Sequence, residues 1–431
     1  MKALKAVQVL KAEGVAVVKQ LGFFLLVFLA ALKMAVGQEL PEDEVQVNFN
    51  GYFDNANVNI VYPSISLTKK VGESTSIRGL YQIDVVSAAS MKSSFENVKR
   101  SPFSPDGVSS ASPKNTKADA VSSASKFSPS LIDPDDVRHE FVAGVTQVFG
   151  QTTGSLSGIY SKEHDYDSKS LALSLSQPFS QKNTVVQFGL VGSWDKIAPD
   201  IQQMKSTSWE KSKNVYSLSG GLSQVLSPTL IAQLSLSYSS YSGFLSDAYQ
   251  VVSVVDGNKV ALYNDYHPDS RKRKAVGLRL SYSLFELTSL QLGYRYYWDD
   301  WEIRSHTISV YVQQYFADKA ITLGLGVRRY SQTSAYFFKP IYDMAWINSG
   351  KYFTVDSRLN AGYSYEYELS LKFSGSLFKN TPIIGYVFQG DRSQLILGMN
   401  FYQRHNDSPD WFIGYKNLYA YIFNLGFKIP L

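Results

Sequence analysis

The 431-residue chain contains no cysteine. That excludes a disulfide framework, thiolate metal ligation, a cysteine nucleophile and lipid attachment through an N-terminal thiol. The chain also lacks a phosphate-binding loop, a dinucleotide fingerprint and the H-E-x-x-H pattern of zinc hydrolases. Net charge is scarce once the N-terminus is set aside. The formal charge is +5, but residues 1–37 hold five Lys and one Glu, a contribution of +4, which leaves about +1 for the remainder. No basic stripe survives, so nucleic acid is not an expected partner. Long apolar runs are equally rare. The only candidate, Leu21–Leu32, is shorter than the ~20 residues that a spanning helix needs.

That run follows Lys2, Lys5, Lys11 and Lys19 and precedes Ala35-Val36-Gly37. A basic leader, a short apolar stretch and small residues in that order form an export signal. The expected organisation is a signal peptide over 1–37 and a mature chain over 38–431.

Aromatic residues are abundant: 29 Tyr and 25 Phe bring the aromatic share to 14%, which suits the two aromatic girdles of a membrane barrel. The stretch Val276–Trp298 shows how they are arranged. Val276, Leu278, Leu280, Tyr282 and Leu284 alternate with Gly277, Arg279, Ser281 and Ser283. After a tight turn, Leu290, Leu292, Tyr294, Tyr296 and Trp298 alternate with Gln291, Gly293, Arg295, Tyr297 and Asp299. Side chains on a strand point to opposite faces with period two, so one face is apolar and the other polar. Runs of about ten residues match the length that crosses a bilayer in a tilted barrel strand.

The pattern recurs over Val137–Phe149, Gly154–Lys162, Ser168–Gln177, Asn183–Asp195, Lys213–Val225, Thr229–Tyr241, Thr307–Phe316 and Ala320–Tyr330. Further strands are expected at Asn57–Lys69, Ser74–Val86, Gly362–Phe378, Gln394–Arg404 and Lys416–Leu431, with an undefined stretch at Ile383–Phe388. Val45–Phe53 reads as either a first strand or a periplasmic lead-in. Short links at 71–74, 150–152, 180–182, 227–228, 286–288 and 317–319 alternate with longer ones at 87–135, 163–168, 196–212, 242–273, 299–306 and 332–355. Barrels of this kind place short turns in the periplasm and long loops outside. The expectation is an all-β, up-and-down antiparallel transmembrane barrel of 14–16 strands, 16 preferred, in the outer membrane. Outer-membrane lipid and the barrel-assembly machinery are its expected partners. The last strand alternates from Tyr419 to Leu431 but ends in Pro430-Leu431 rather than an aromatic.

The Ser/Pro-rich segment 87–135 is the one long interruption. The pattern D-x-V-S-x-A-S begins at Asp84, Asp106 and Asp119. Its Asp and Ser oxygens are hard ligands of the kind Ca²⁺ takes; the small residues could equally fold inward, or the segment could be a solvated loop grown by duplication. Other polar residues invite a similar choice. Asp299, Asp300 and His306 gather carboxylates and an imidazole at one outer hairpin end, as general acid–base chemistry would need, yet no nucleophile accompanies them. His139-Glu140, beside Arg138, and Glu163-His164-Asp165 offer imidazole and carboxylate groups on adjacent strands, as metal ligands or as rim hydrogen bonds. Asp195, Arg279, Arg295 and Arg328 fall on the face opposite the lipid and would line a solute path or pair across a filled lumen. His267-Pro268-Asp269 and Arg271–Lys274 read as an exposed turn.

The Asp-Val-Val-Ser-Ala-Ala-Ser run from Asp84, Arg138-His139-Glu140, Glu163-His164-Asp165-Tyr166, Gln181-Lys182-Asn183-Thr184, Gly243-Phe244-Leu245-Ser246-Asp247, Tyr294–Trp301 with Ser305-His306-Thr307, and Arg329-Tyr330-Ser331-Gln332 together resemble an uncharacterised bacterial outer-membrane β-barrel family, catalogued as domain of unknown function thirty-five-seventy. The resemblance covers nearly the whole mature chain. It implies an outer-membrane barrel and no established activity, and the genomic neighbours of some relatives hint at a small lipoprotein as partner and a redox-linked envelope pathway. The functional expectation is a pore or transport component with segment 87–135 as a gating or docking loop. The alternative is a non-conducting interaction barrel in an envelope complex, with a barrel hydrolase third. No enzyme activity and no cofactor are expected.

Overall fold

The computed structural model describes residues 40–55, 58–87, 136–198, 210–248, 250–257, 259–382, 392–408 and 416–431, with Gly385, Phe388 and Gly390. The export signal expected over 1–37, and Asp106 and Asp119 of the repeat segment, lie outside the described residues.

In chain order the strands are β1 (Glu44–Asp54), β2 (Asn59–Val61), β3 (Ser64–Lys70), β4 (Thr75–Ser87), β5 (Asp136–Phe149), β6 (Thr152–Lys162), β7 (Tyr166–Phe179), β8 (Thr184–Ile197), β9 (Lys211–Ser227) and β10 (Leu230–Gly243). There follow β11 (Val251–Asp256), β12 (Lys259–Asn264), β13 (Ser270–Phe285), β14 (Thr288–Asp299), β15 (Arg304–Phe316) and β16 (Ile321–Gln332). The chain ends with β17 (Tyr342–Asp343), β18 (Gly362–Ser374), β19 (Gln394–Asn406) and β20 (Asn417–Pro430). All but β11, β12 and β17 belong to one 17-stranded antiparallel sheet. Within it β2 and β3 form a single stave, since both pair with β1 and β4, so the wall has sixteen. The break falls at Pro63, which has no N–H to donate. Tyr62 N donates to Asn50 O (2.9 Å) and Ile83 N to Pro63 O (3.2 Å), carrying the ladder across it.

Closure comes from β1 against β20, paired from Glu44↔Pro430 to Asp54↔Ala420. Val45–Phe53 is therefore a barrel strand and not a lead-in. A closed wall satisfies every backbone donor and acceptor without an edge, which lipid demands of any spanning structure. The expected face polarity holds around it. Phe49, Leu67, Phe141, Leu171, Leu234, Leu278, Leu292, Val310, Leu325, Leu397 and Phe423 are all exposed on the outside. The intervening positions carry Asn50, Gln82, Asp195, Arg279, Arg295 and Glu366 toward the lumen. Expected strands and observed ones differ mainly at their ends. Gly362–Phe378 stops as a strand at Ser374 and closes in a 3-10 turn over Gly375–Phe378.

One device recurs at the periplasmic rim. Thr75 Oγ1 donates to Gln147 Oε1, Thr152 to Gln177, Thr184 to Gln224 (2.7 Å) and Thr288 to Gln314 (2.6 Å). Each glutamine amide donates back to the carbonyl of its own next residue, Val148, Pro178, Val225 or Tyr315. These pairs sit on the outward-facing register below Ile77, Leu156, Leu222 and Leu292. A hydroxyl and an amide that satisfy each other lower the cost of placing polar groups at the lipid boundary.

The connections expected as polar links over 242–273 and 332–355 are instead a folded cap. β11 pairs with β12 and, in parallel, with β17; β17 leads into the short helix α1 (Met344–Asn348), capped by Asp343, which accepts from Trp346 N. Val252, Val254, Tyr342, Phe353 and Val355 form one buried cluster. Trp301, Ile303, Ala335, Phe337 and Leu359 form a second, where the cap meets the β14–β15 turn. Gly243 makes the departure from the wall possible. Its φ of +103° is open to glycine, and a Cβ there would lie 2.2 Å from Ser212 O. The reading of His267–Lys274 as an exposed turn is overturned at its centre: His267 is 6% and Arg271 7% exposed. Packing against Trp301 and Phe337 is the reason, with ring centroids at 5.3 Å from His267 in both cases.

Candidate functional site: an arginine-lined lumen beneath the cap

A cavity of about 970 Å³ lies at the outer end of the lumen. The barrel wall contributes Lys213, Arg273, Arg295 and Tyr330, and the cap contributes His267, Asp356 and Arg358. Two further cavities of about 450 and 390 Å³ continue along the wall. Arg295 borders all three. Arg279 and Arg328 line the last of them.

Strand register explains the column of arginines. Arg295 on β14 faces Gly277 on β13, and Arg279 on β13 faces Gly293 on β14. Each long guanidinium thus stands opposite a residue without a side chain, so two cations share a narrow strip of wall without colliding. On the far side of β15, Arg328 faces Ser309. Arg273 lies over the Tyr241 ring at 4.3 Å and donates to its hydroxyl (3.2 Å). Arg328 donates through Nε to Glu366 Oε2 (2.8 Å), and Asn400 donates to the other Glu366 oxygen (2.7 Å). Among the described residues, Arg273, Arg279 and Arg295 have no carboxylate partner. Midway along the opposite seam of the lumen the facing residues are amides: Asn50, bonded to Asn424, and Asn48, which donates to Ser64 (3.4 Å).

The other expected site residues separate into distinct groups. Asp195 is buried and accepts from Tyr166 (2.5 Å), Ser168 (2.7 Å) and Ser193 (2.7 Å), with Lys213 at 3.1 Å. Asp84 accepts from Gln82 (2.8 Å) and pairs with Arg138, whose Nε lies 3.7 Å from Glu163. These are cross-strand ties of the outer lumen. Glu140 faces Gln82 in register on the lumen side. His139, one residue away, points outward, where Tyr81 Oη meets its Nδ1 at 2.9 Å. His164 lies in the short turn between β6 and β7. Asp299 and His306 are likewise divided by the wall. Asp299 is inside, its carboxylate fully buried against Arg271; His306 is outside, its Nδ1 2.8 Å from Tyr294 Oη. Asp300 sits on the turn and accepts from Lys272 N (2.9 Å). No group of three or more His, Asp or Glu side chains arranged to hold a metal occurs among the described residues.

Sequence reasoning missed the pair at the base of the cap. His267 Nδ1 donates to Leu245 O (2.9 Å), while its Nε2 lies 2.6 Å from Asp265 Oδ2. Both side chains are almost wholly buried. Burial raises the Asp265 carboxyl above its ordinary range, against the lowering influence of His267. Arg358 joins the two halves of the cap, reaching Asp356 at 2.8 Å and Asp247 at 3.2 Å.

A closed wall of sixteen antiparallel staves, apolar outside and polar within, defines an outer-membrane β-barrel. Residues 26–407 match the family model described as "Protein of unknown function (DUF3570)". The chain belongs to this family. Among solved structures it is similar to a bacterial polysaccharide outer membrane secretin (TM-score 0.48, 7% identity, 91% of this chain and 100% of that one). It is also similar to CdiB from Acinetobacter baumannii (0.47, 8%, 90% and 61%), and to the siderophore receptor PirA from Pseudomonas aeruginosa (0.42, 12%, 86% and 57%). The chain thus spans the whole of the first of these and about three-fifths of the other two. No curated protein shows significant similarity to it.

Proposed function

We propose that the protein is a pore for small anionic or polar solutes, with an outer mouth narrowed by the folded cap. The observation that carries this reading is Arg295 bordering three successive cavities, with Arg273 and Arg279 beside it and, among the described residues, no carboxylate neutralising the three. Unpaired cations lining a water-filled channel with low-dielectric walls concentrate anions and favour their passage. A solute entering from outside meets Arg273 at the vestibule, then Arg295, then Arg279 and Arg328. The separation of Asp299 from His306 by the barrel wall supports conduction over hydrolysis.

The segment 87–135 completes the proposal as a second gating or docking element. Reconstitution in planar bilayers tests both parts. Stepwise, anion-selective conductance that rises on deletion of 90–130 is the expected result. Silence from both the full chain and the deletion form would overturn it. The cap, a folded surface over the outer mouth, favours one other reading, a non-conducting barrel that presents this surface to an envelope partner. Absence of conductance with stable co-purification of another envelope protein is the result expected from that barrel.

A further inference from the structure

The outside of the wall carries a second set of cations, unrelated to the lumen. They lie where β13 to β16 reach the outer surface. On the outward-facing register, Lys272 and Lys274 stand above Leu278, Arg304 and His306 above Ile308, and Arg329 above Val327. All five are exposed. Cross-strand pairing sets them into rows. One row runs Tyr238–Lys274–Trp298–Arg304. The next runs Val276–Tyr296–His306–Ser331, and the third Leu278–Tyr294–Ile308–Arg329. Neighbouring strands are ~4.8 Å apart, so Lys274 and Arg304 flank Trp298 with about 10 Å between their backbones. Tyr296 stacks on Trp298 at 5.4 Å, and His306 lies 5.1 Å from Tyr296.

None of Lys272, Lys274, Arg304 and Arg329 has a carboxylate partner among the described residues. The carboxylates nearest in sequence are Asp269, just before β13, with Asp300, whose Oδ1 accepts from Lys272 N, and Glu302, both on the β14–β15 turn. The outer rim at β6 to β9 is different. There Lys196 pairs with Glu210 at 3.0 Å, and Lys162 faces Asp167 in register. A lipid-facing cation costs ~2–4 kcal/mol at the bilayer midplane and ~0–1 near the interface. The interleaved Tyr and Trp rings place Lys272, Lys274 and Arg304 at the interface, the depth of lipid headgroups, with Arg329 two rows deeper, level with Tyr294.

We propose that this surface binds the phosphate groups of an anionic lipid in the outer leaflet. Lys274 and Arg304 hold one phosphate across Trp298, and Lys272, one row above them, and Arg329, two rows below, extend the positive field. Arginine forks match phosphate oxygens in two parallel hydrogen bonds. Below the lowest of the cations the wall is apolar and exposed at Leu292, Val310 and Val327. The complementary ligand therefore has phosphate at one end and hydrocarbon at the other. A free phosphate ion would satisfy only the upper half.

The test uses the full mature chain in detergent micelles, titrated with lipid A, a bisphosphorylated glycolipid, and followed by native mass spectrometry. Lys274→Gln, Arg304→Gln and Arg329→Gln combined should weaken retention roughly tenfold or more. The same changes at Lys162, Lys169 and Lys196 should leave it unaltered. Dephosphorylated lipid A should bind the unmodified chain roughly tenfold or more weakly than lipid A does, a comparison that needs no mutant to fold. Millimolar inorganic phosphate should not compete. Equal retention by both triple variants, equal binding of the dephosphorylated lipid, or effective competition by inorganic phosphate would each refute the site.

Discussion

Arg271 on β13 and Asp299 on β14 form a closed pair at the end of the barrel wall, beneath the cap. Arg271 Nε lies 2.9 Å and Nη2 2.5 Å from the same Asp299 oxygen. The other oxygen accepts from the backbone N–H of Trp301 (3.0 Å) and Ile303 (2.9 Å). Arg271 also stacks on the Trp301 ring at 4.2 Å. One carboxylate thus shapes the β14–β15 turn and anchors the arginine that supports the second cap cluster. Removing one partner of a buried pair strands the other charge and costs about 3–5 kcal/mol. Asp299→Ala should therefore abolish amide-exchange protection at 301–303 and 335–337. The barrel itself should stay closed, as read by heat-modifiable migration in detergent gels. Unchanged protection would show that the turn does not depend on the pair.

The wall was legible in the sequence because period-two alternation follows directly from strand geometry. Leu290, Leu292 and Tyr294 identify lipid whatever surrounds them. The cap was not legible, for a physical reason. Val252, Val254 and Tyr342 belong to short strands that bury themselves against residues about ninety positions away, so neither segment is long enough to show a period. Pro63 interrupted one expected strand without ending the stave, since neighbouring backbone groups complete the ladder. The lumen arginines were visible as polar alternates. Their pairing with glycine across the β13–β14 register required the register itself. Asp299 and His306, seven residues apart, looked adjacent in sequence, yet their strand parities put them on opposite faces.

Tyr342 offers a second handle on the cap. Its hydroxyl accepts from Lys339 N (2.7 Å) and Thr354 N (2.9 Å), and lies within donating distance of the carbonyls of Phe337 (2.6 Å) and Thr354 (2.8 Å). The residue is 2% exposed. Tyr342→Phe keeps the ring and leaves the two N–H groups without their acceptor, at a cost of about 1–3 kcal/mol. Limited proteolysis should then cleave within 333–361 at least several-fold faster than in the parent, with the wall still intact. Equal cleavage rates would mean the hydroxyl is dispensable.

Asp265 makes cap stability depend on pH, and the sign follows from its burial. Its carboxyl is raised in the folded cap, so the folded state holds the proton more tightly than the unfolded chain, where an Asp titrates near ~3.9. The stabilisation linked to this proton is complete below the unfolded value and is lost as pH rises through the raised folded value. Proteolytic resistance of 250–270 should accordingly increase on acidification across that window. Asp265→Asn, which stays neutral, should flatten the dependence. A profile as steep in the variant as in the parent would assign the effect to another group.

The Arg328–Glu366 pair gives the most direct reading of the lumen. Glu366 Oε2 takes Arg328 Nη2 at 2.5 Å and Nε at 2.8 Å, so the pair contributes little net field to a passing ion. Glu366→Gln leaves the arginine charge uncompensated, and Arg328→Ala leaves the carboxylate alone. In a conducting pore the two changes must act in opposite directions. At a few ångströms in a wet lumen a unit charge is worth on the order of 1 kcal/mol, about a fivefold change in relative permeability. Reversal potentials in a potassium chloride gradient should shift toward the anion for Glu366→Gln and toward the cation for Arg328→Ala. Shifts of the same sign, or none in either variant despite open channels, would place the conduction path away from this strip of wall.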